Sequence, residues 1–266
     1  MVNFNQYRIE CKMNVKNYIN RINYKGPLTP TFEVLKSLQE AHLLTIPFEN
    51  LDIHYNNPIN LEVSKLYEKV VENKRGGFCY ELNGLFNVLL KQLGFNSKMI
   101  SANVFNANKE EFGQVFDHMA IIVKIDQVEF IVDVGFGEFT FHPLRLEIGA
   151  VQIDPRGEFI IENFENENYK ISKFKNGTKI PQYIFTNQKR ELVDFTEMCL
   201  YHQTSENSHF TQKKLISMPI KKGRVTITDN VLKITENEEE VKNVVLGEAE
   251  YQEQLLNWFD IEESEI

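Results

Sequence analysis

Cysteine is scarce in this chain: three residues, Cys11, Cys79 and Cys199, in 266. So odd and sparse a set excludes a disulfide framework and points to a reducing compartment, with the cytoplasm as the expected location. Neither a CxxC pair nor an HExxH run occurs, so no metal site is expected. No stretch approaches the apolar length of a membrane span, and the polar residues 1–5 do not read as a signal peptide. Basic residues are outnumbered, 29 against 38 acidic, which leaves a net charge of -9. That balance argues against nucleic acid or an anionic membrane as partner, though not against an anionic ligand held by a local basic patch. Internal repeats and low-complexity linkers are missing too. What remains is the composition of an ordinary globular protein, 42% hydrophobic and 25% charged. The length suits one large domain or two to three packed subdomains.

The chain is organised around residues 75–86. Phe78, Leu82, Leu85, Phe86, Leu89, Leu90 and Leu93 recur at helical spacing and describe one wide apolar face. Gly94 follows as a C-terminal cap. Gly76-Gly77 just before allows a tight turn and a close backbone approach. Cys79 therefore falls in the first turn of a core helix, where unpaired N–H groups and the helix dipole should lower its pKa. Equally, a free cysteine can be a small buried hydrophobe.

Upstream, residues 14–21 and 31–44 carry helical spacing, with Thr29 or Thr31 as cap of the second. Pro47 ends that stretch by pushing Ile46 to an extended conformation. Residues 64–73 read as a further helix, capped by Ser64. From about residue 97 the pattern turns to period two. Residues 99–105, 118–125, 128–134, 159–164, 169–174 and 180–185 read as strands, and Asn176-Gly177 is a hairpin turn signal. Residues 106–117 form a polar connection, long for a hairpin. Strands then recur at 214–220, 224–228 and 231–234. The acidic run 236–240 reads as a solvated turn or helix start, and 248–259 as a helix with the single tryptophan, Trp258.

Two strands carry further chemistry. If Asp126-Gln127 is the loop between 118–125 and 128–134, Ile125 pairs with Val128 and Ala120 faces Asp133. His118 is then a diagonal neighbour of Asp133 on one face of the sheet, about 7–8 Å away at most between Cβ atoms. Asp133 interrupts the apolar run Phe130-Ile131-Val132-Asp133-Val134, and a buried carboxylate needs a partner. A carboxylate on one imidazole nitrogen fixes the tautomer and frees the other nitrogen. Cys79, His118 and Asp133 are together a thiol nucleophile, its base and the base's orienter.

At these residues the sequence resembles a known family. Arg75-Gly76-Gly77-Phe78-Cys79-Tyr80-Glu81-Leu82-Asn83 resembles the active-site motif of the arylamine N-acetyltransferases. Ile46-Pro47-Phe48-Glu49-Asn50-Leu51 resembles the motif before it. His118-Met119 and Val132-Asp133-Val134-Gly135-Phe136-Gly137 resemble the segments carrying the family's histidine and aspartate. Tyr201-His202-Gln203-Thr204-Ser205 with Ser208 and Phe210 resembles its cofactor-side segment.

The resemblance implies an α+β fold: a helical domain with the nucleophile (1–94), an antiparallel β-barrel domain with His and Asp (95–200) and an α/β lid (201–266), around a cysteine-protease-like Cys-His-Asp core. It implies a cytoplasmic enzyme of xenobiotic metabolism. The reaction is ping-pong acetyl transfer from the co-substrate acetyl-CoA to an arylamine, arylhydrazine or N-hydroxyarylamine, through an acetyl thioester on Cys79. The positions matched to CoA contact are Tyr201, Asn207, Ser208, Gly135 and Gly137. Those assigned to the acceptor are Phe48, Asp117, Phe136 and Phe139. Arg75 and Glu49 read as an ion pair bracing the Gly-Gly loop, and Asn83 as bonding backbone from within the helix. A thiol hydrolase or transglutaminase uses the same triad in the same order, a relative could use another acyl-CoA, and a non-catalytic binding protein is the third alternative.

Overall fold

The computed structural model describes residues 13–237, 239–263 and 266. Residues 1–5, Cys11 and Glu238 of the acidic run lie outside the described residues. Helix α1 (Val15–Arg21) is capped by Asn14, and α2 (Phe32–Leu43) by Thr31, whose hydroxyl accepts from the Val34 N–H at 3.3 Å. The short strand β1 (Phe48–Glu49) and the single turn α3 (Leu51–His54) follow Pro47. Next come α4 (Val63–Tyr67), a π-helical turn (Glu68–Glu72) and α5 (Cys79–Gln92). Ser64 is not the cap of α4. Glu62 holds that position, and the Ser64 hydroxyl donates to the Glu62 carboxylate at 2.7 Å instead. Gly94, at φ 87°, ends α5 in the left-handed conformation that glycine tolerates.

Strands β2 (Asn96–Asn106), β3 (Glu111–Phe112), β4 (His118–Ile125), β5 (Val128–Val132), β6 (Leu144–Arg145), β7 (Val151–Asp154), β8 (Gly157–Phe164), β9 (Asn168–Lys175) and β10 (Thr178–Phe185) build one antiparallel sheet. Its path is β6-β5-β4-β2-β10-β9-β8-β7, with β3 folded back on β2. The connection read as a loop over 106–117 thus holds a short strand, paired Phe105 to Phe112. The sheet curls into a nearly closed barrel, and side chains bridge its two edges. Gln152 of β7 both accepts from and donates to the Arg145 backbone of β6, and Asp154 accepts from Phe141 and His142 N–H groups.

The remaining chain runs through a 3-10 turn (Leu192–Phe195), α6 (Thr196–Thr204) and α7 (His209–Gln212) into β11 (Leu215–Ile220), β12 (Gly223–Thr228), β13 (Val231–Glu236) and β14 (Glu239–Val245), and ends with α8 (Glu248–Phe259). The four strands and β1 form a second antiparallel sheet in the order β1-β11-β12-β13-β14. The acidic run therefore leads into an edge strand rather than a helix. Every residue of β14 is exposed, so it carries no alternation of apolar and polar positions for a sequence pattern to reveal. The short strands β1, β3, β6 and β7 escape a period-two reading for want of length.

Strand β4 is buried on both faces, which positions the site. Ile121 and Val123 face outward onto α5, in a core shared with Leu82, Leu85, Phe86 and Leu89. Ala120 and Ile122 face the barrel interior with Ile131, Phe139, Phe159 and Tyr183. The register pairs Ile125 with Val128 and Ile121 with Val132, as the sequence predicts. Asp126 takes the left-handed conformation at the hairpin tip, φ 54°. Among the described residues, no helix is long and apolar enough to cross a membrane.

Candidate active site

Cys79 is the first residue of α5 and is buried. Phe78 caps the helix, and its N–H donates to the Glu81 carboxylate at 3.0 Å, which fixes the chain entering Cys79. The glycine loop before it presses against β1, with the Glu49 N–H donating to Gly77 O at 2.9 Å. A Cβ on Gly76 would lie 2.1 Å from Pro47 O, so no side chain fits.

An ionic network holds this loop from behind. Arg75 donates to Glu49 at 2.8 Å and to Asp52 at 3.0 Å. Lys69 reaches Asp52 at 2.7 Å and Glu81 at 2.8 Å. The network has three carboxylates for two cations. Burial pushes the Glu81 carboxyl up to about 7, against the pull of Lys69. The ion pair read from the sequence is therefore one edge of a five-residue cluster. Nothing in the sequence marks Asp52 and Lys69, because each looks like an ordinary polar position of its helix.

The histidine and aspartate meet as the register requires. His118 Nε2 lies 2.7 Å from Asp133 Oδ2, with both side chains buried. Asp133 falls just past the end of β5, and its Oδ1 accepts from the Gly135 N–H at 2.9 Å and from Asn83 Nδ2 at 2.8 Å. Asn83 also donates to Met119 O at 2.7 Å and accepts from the Val134 N–H at 2.9 Å. It does bond backbone, as read from the sequence, and in addition ties α5 to the carboxylate. Gly135 lets that loop settle on the nucleophile: a Cβ there would lie 2.7 Å from Cys79 Cα. The His118 ring is flanked by Phe136 at 5.1 Å and Tyr183 at 5.4 Å.

Cys79 and His118 open into one cavity of about 260 Å³, whose walls include Phe48, Asp117, Phe136, Gly137, Phe210 and Arg224. A larger cleft of about 610 Å³ beside α3 and α8 contains neither residue. Burial pushes the Cys79 thiol well above the ordinary cysteine value; the Met119 N–H works the other way, and the Asp117 and Asp133 charges add to the rise. This corrects the expectation of a lowered pKa. Desolvation outweighs the helix N-terminus for a buried, isolated thiolate.

The other sequence-assigned residues divide. Phe48, Asp117, Phe136, Gly135 and Gly137 line the cavity. Phe139 instead sits in the barrel core against Phe159 and Tyr183. Ser208 is buried, accepts from the Phe210 N–H at 3.3 Å as cap of α7, and bonds His202 Nδ1 at 3.0 Å. Tyr201 is half-buried against His202, and Asn207 is exposed. His209, Ser217 and Arg224 line the cavity without having been read from the sequence. Arg224 alternates with apolar residues in β12, as a solvent-facing strand residue would, so nothing local marks it.

The cavity shared by Cys79 and His118 suits more than one class of enzyme with a thiol nucleophile, and comparison with known proteins narrows the choice. The sequence model of a family described as N-acetyltransferase matches residues 31–265. The chain is 31% identical to the arylamine N-acetyltransferase pineal gland isozyme NAT-10 of Gallus gallus over 94% of both chains. Its fold superposes on the arylamine N-acetyltransferase of Salmonella typhimurium with a TM-score of 0.86 and 28% identity, covering 92% of this chain and 90% of the other. It also superposes on the Mycobacterium marinum arylamine N-acetyltransferase in complex with CoA, with a TM-score of 0.82 and 28% identity over 92% and 91% of the two chains. The chain belongs to the arylamine N-acetyltransferase family.

Proposed function

We propose that the protein transfers an acetyl group from acetyl-CoA to the nitrogen of arylamines, arylhydrazines or N-hydroxyarylamines, by a ping-pong mechanism through an acetyl thioester on Cys79. The observation that carries this reading is that Cys79 shares a cavity with His118, whose Nε2 is held by Asp133 at 2.7 Å. That contact leaves Nδ1 for the thiol. Because burial opposes a lone thiolate, Cys79 ionises only by passing its proton to His118, and the imidazolium formed is balanced by Asp133.

In the first half-reaction Cys79 Sγ attacks the thioester carbonyl. His118 returns the proton to the departing CoA sulfur, leaving acetyl-Cys79. In the second, the acceptor nitrogen attacks the acetyl carbonyl, His118 takes the amine proton, and Cys79 leaves as thiolate to be reprotonated. The Cys79 backbone N–H, in the first turn of α5, is our assigned donor to the oxyanion. Phe48, Phe136 and Phe210 supply aromatic walls for the acceptor ring, and Asp117 lies beside its nitrogen. Tyr201, Asn207 and Gly137 are assigned to CoA. Ser208 contributes by capping α7, and Gly135 by its fit against Cys79.

In this reading residues 1–94 supply the nucleophile, 95–200 the base and its orienter, and 201–266 a lid. The enzyme works in the cytoplasm, in xenobiotic metabolism. Initial rates at varied acetyl-CoA and several fixed arylamine concentrations test the scheme. Parallel double-reciprocal lines are expected. Intersecting lines would mean direct transfer in a ternary complex, and the scheme would fall.

A further inference from the structure

Arg224 is a half-buried cation in the wall of the reaction cavity. Arg75, fully buried, has two carboxylates within 3.0 Å. Arg224 lines the cavity that Cys79 and His118 share, yet among the described residues no carboxylate lies at ion-pair distance from it. Its hydrogen-bond partners are neutral. Nη1 donates to Ser217 Oγ at 2.7 Å, Nη2 donates to Gly137 O, and Nε is buried without a partner. Glu138, exposed on the rim, acts on it only from a distance. Arg156 stands near enough to repel it, donating to Gly223 O at 2.9 Å. Burial and that repulsion lower the Arg224 pKa to about 10.

A guanidinium removed in part from water, with its Nε buried and no carboxylate beside it, is costly, and such charges are normally paired. Ser217 and Gly137 fix the orientation of this one at the mouth of a reaction cavity. We propose that Arg224 is an anion subsite of the active-site cavity, taking an oxyanion carried by one of the two substrates: a phosphate of the acyl donor or a carboxylate on the arylamine. Planar guanidinium geometry suits either group. This inference rests on the acetyl-transfer reading.

The test compares wild type with Arg224→Gln and Arg224→Lys, after thermal melting confirms that at least one variant folds. Two donors are used, acetyl-CoA and the phosphate-free 4-nitrophenyl acetate. Two acceptors are used, 4-aminobenzoate and uncharged aniline. Losing a charge-assisted hydrogen bond raises KM by about tenfold or more for the substrate that carries the anion. A rise confined to acetyl-CoA assigns the subsite to phosphate. A rise confined to 4-aminobenzoate assigns it to carboxylate. Arg224→Lys restores part of the loss in either case. Equal effects on charged and neutral substrates, or no effect, overturn the proposal and leave Arg224 a structural residue. Failure of the acetyl-transfer reading shows separately, as absence of turnover with acetyl-CoA in the wild type.

Discussion

The Cys79 thiol lies in a place that discourages ionisation, and in the proposed scheme a histidine fixed in advance takes its proton. His118 is held by Asp133, and Asp133 by Asn83 and the Gly135 N–H. Replacing His118 with Gln removes the proton acceptor without emptying the space. Cys79 acetylation is expected to slow by about 10²–10⁴-fold. Alkylation of Cys79 by iodoacetamide should also move to higher pH, because the remaining thiol then titrates above the ordinary cysteine value. An unchanged alkylation profile would remove His118 as the base. Asn83→Leu is the test one step back. It leaves the Val134 N–H and Met119 O unpaired, at about 1–3 kcal/mol each. Denaturant unfolding should report that loss, and the acetylation rate should fall with KM for the acceptor unmoved. Two of the three proposed catalytic residues stand out in the sequence: Cys79 lies just after the Gly76-Gly77 turn, and Asp133 interrupts an apolar run. Asn83 does not, and its tie to Asp133 emerges only when α5 packs on β4.

At the scale of elements, the hairpin β4–β5 decides whether histidine and aspartate meet. Its two-residue loop sets the register, and period two sets the face, so both were readable from local sequence. Asp126 accepts the left-handed conformation at the tip, leaving Gln127 tolerable after it. The π-helical turn Glu68–Glu72 was not readable. It exists beside the ionic cluster in which Lys69 meets three carboxylates, an arrangement of separate segments. The glycine contacts make a prediction at this scale. Gly135→Ala pushes a methyl against the start of α5 and should destabilise the fold by about 1–3 kcal/mol. It should also slow Cys79 acetylation, measured beside a melting curve. A variant as stable and active as wild type would mean that the loop and α5 do not pack this closely.

Across the whole molecule, two buried groups limit stability from opposite sides of neutral pH. His42, in the helical core, has no hydrogen-bond partner on either ring nitrogen among the described residues, and burial lowers its pKa to about 3. Its folded value lies below the unfolded one. Its contribution is therefore present above about pH 6.5 and is lost as pH falls toward 3. Glu81 behaves oppositely: its folded value of about 7 exceeds the unfolded one, so its contribution is present below about pH 4.5 and is lost as pH rises through 7. His42→Phe should flatten the fall of melting temperature on the acid side, and Glu81→Gln the fall near neutrality. Unchanged pH slopes in both variants would show that other groups control these limbs.

In the proposed scheme Cys79 carries the acetyl group between donor and acceptor. Intact-protein mass spectrometry after mixing with acetyl-CoA, with no acceptor present, tests it most directly. The expected result is a gain of one acetyl group, mapped by peptide digestion to Cys79, absent in Cys79→Ala and discharged on adding an arylamine. No adduct on the wild-type protein, or an adduct on another residue that an arylamine does not discharge, would contradict it.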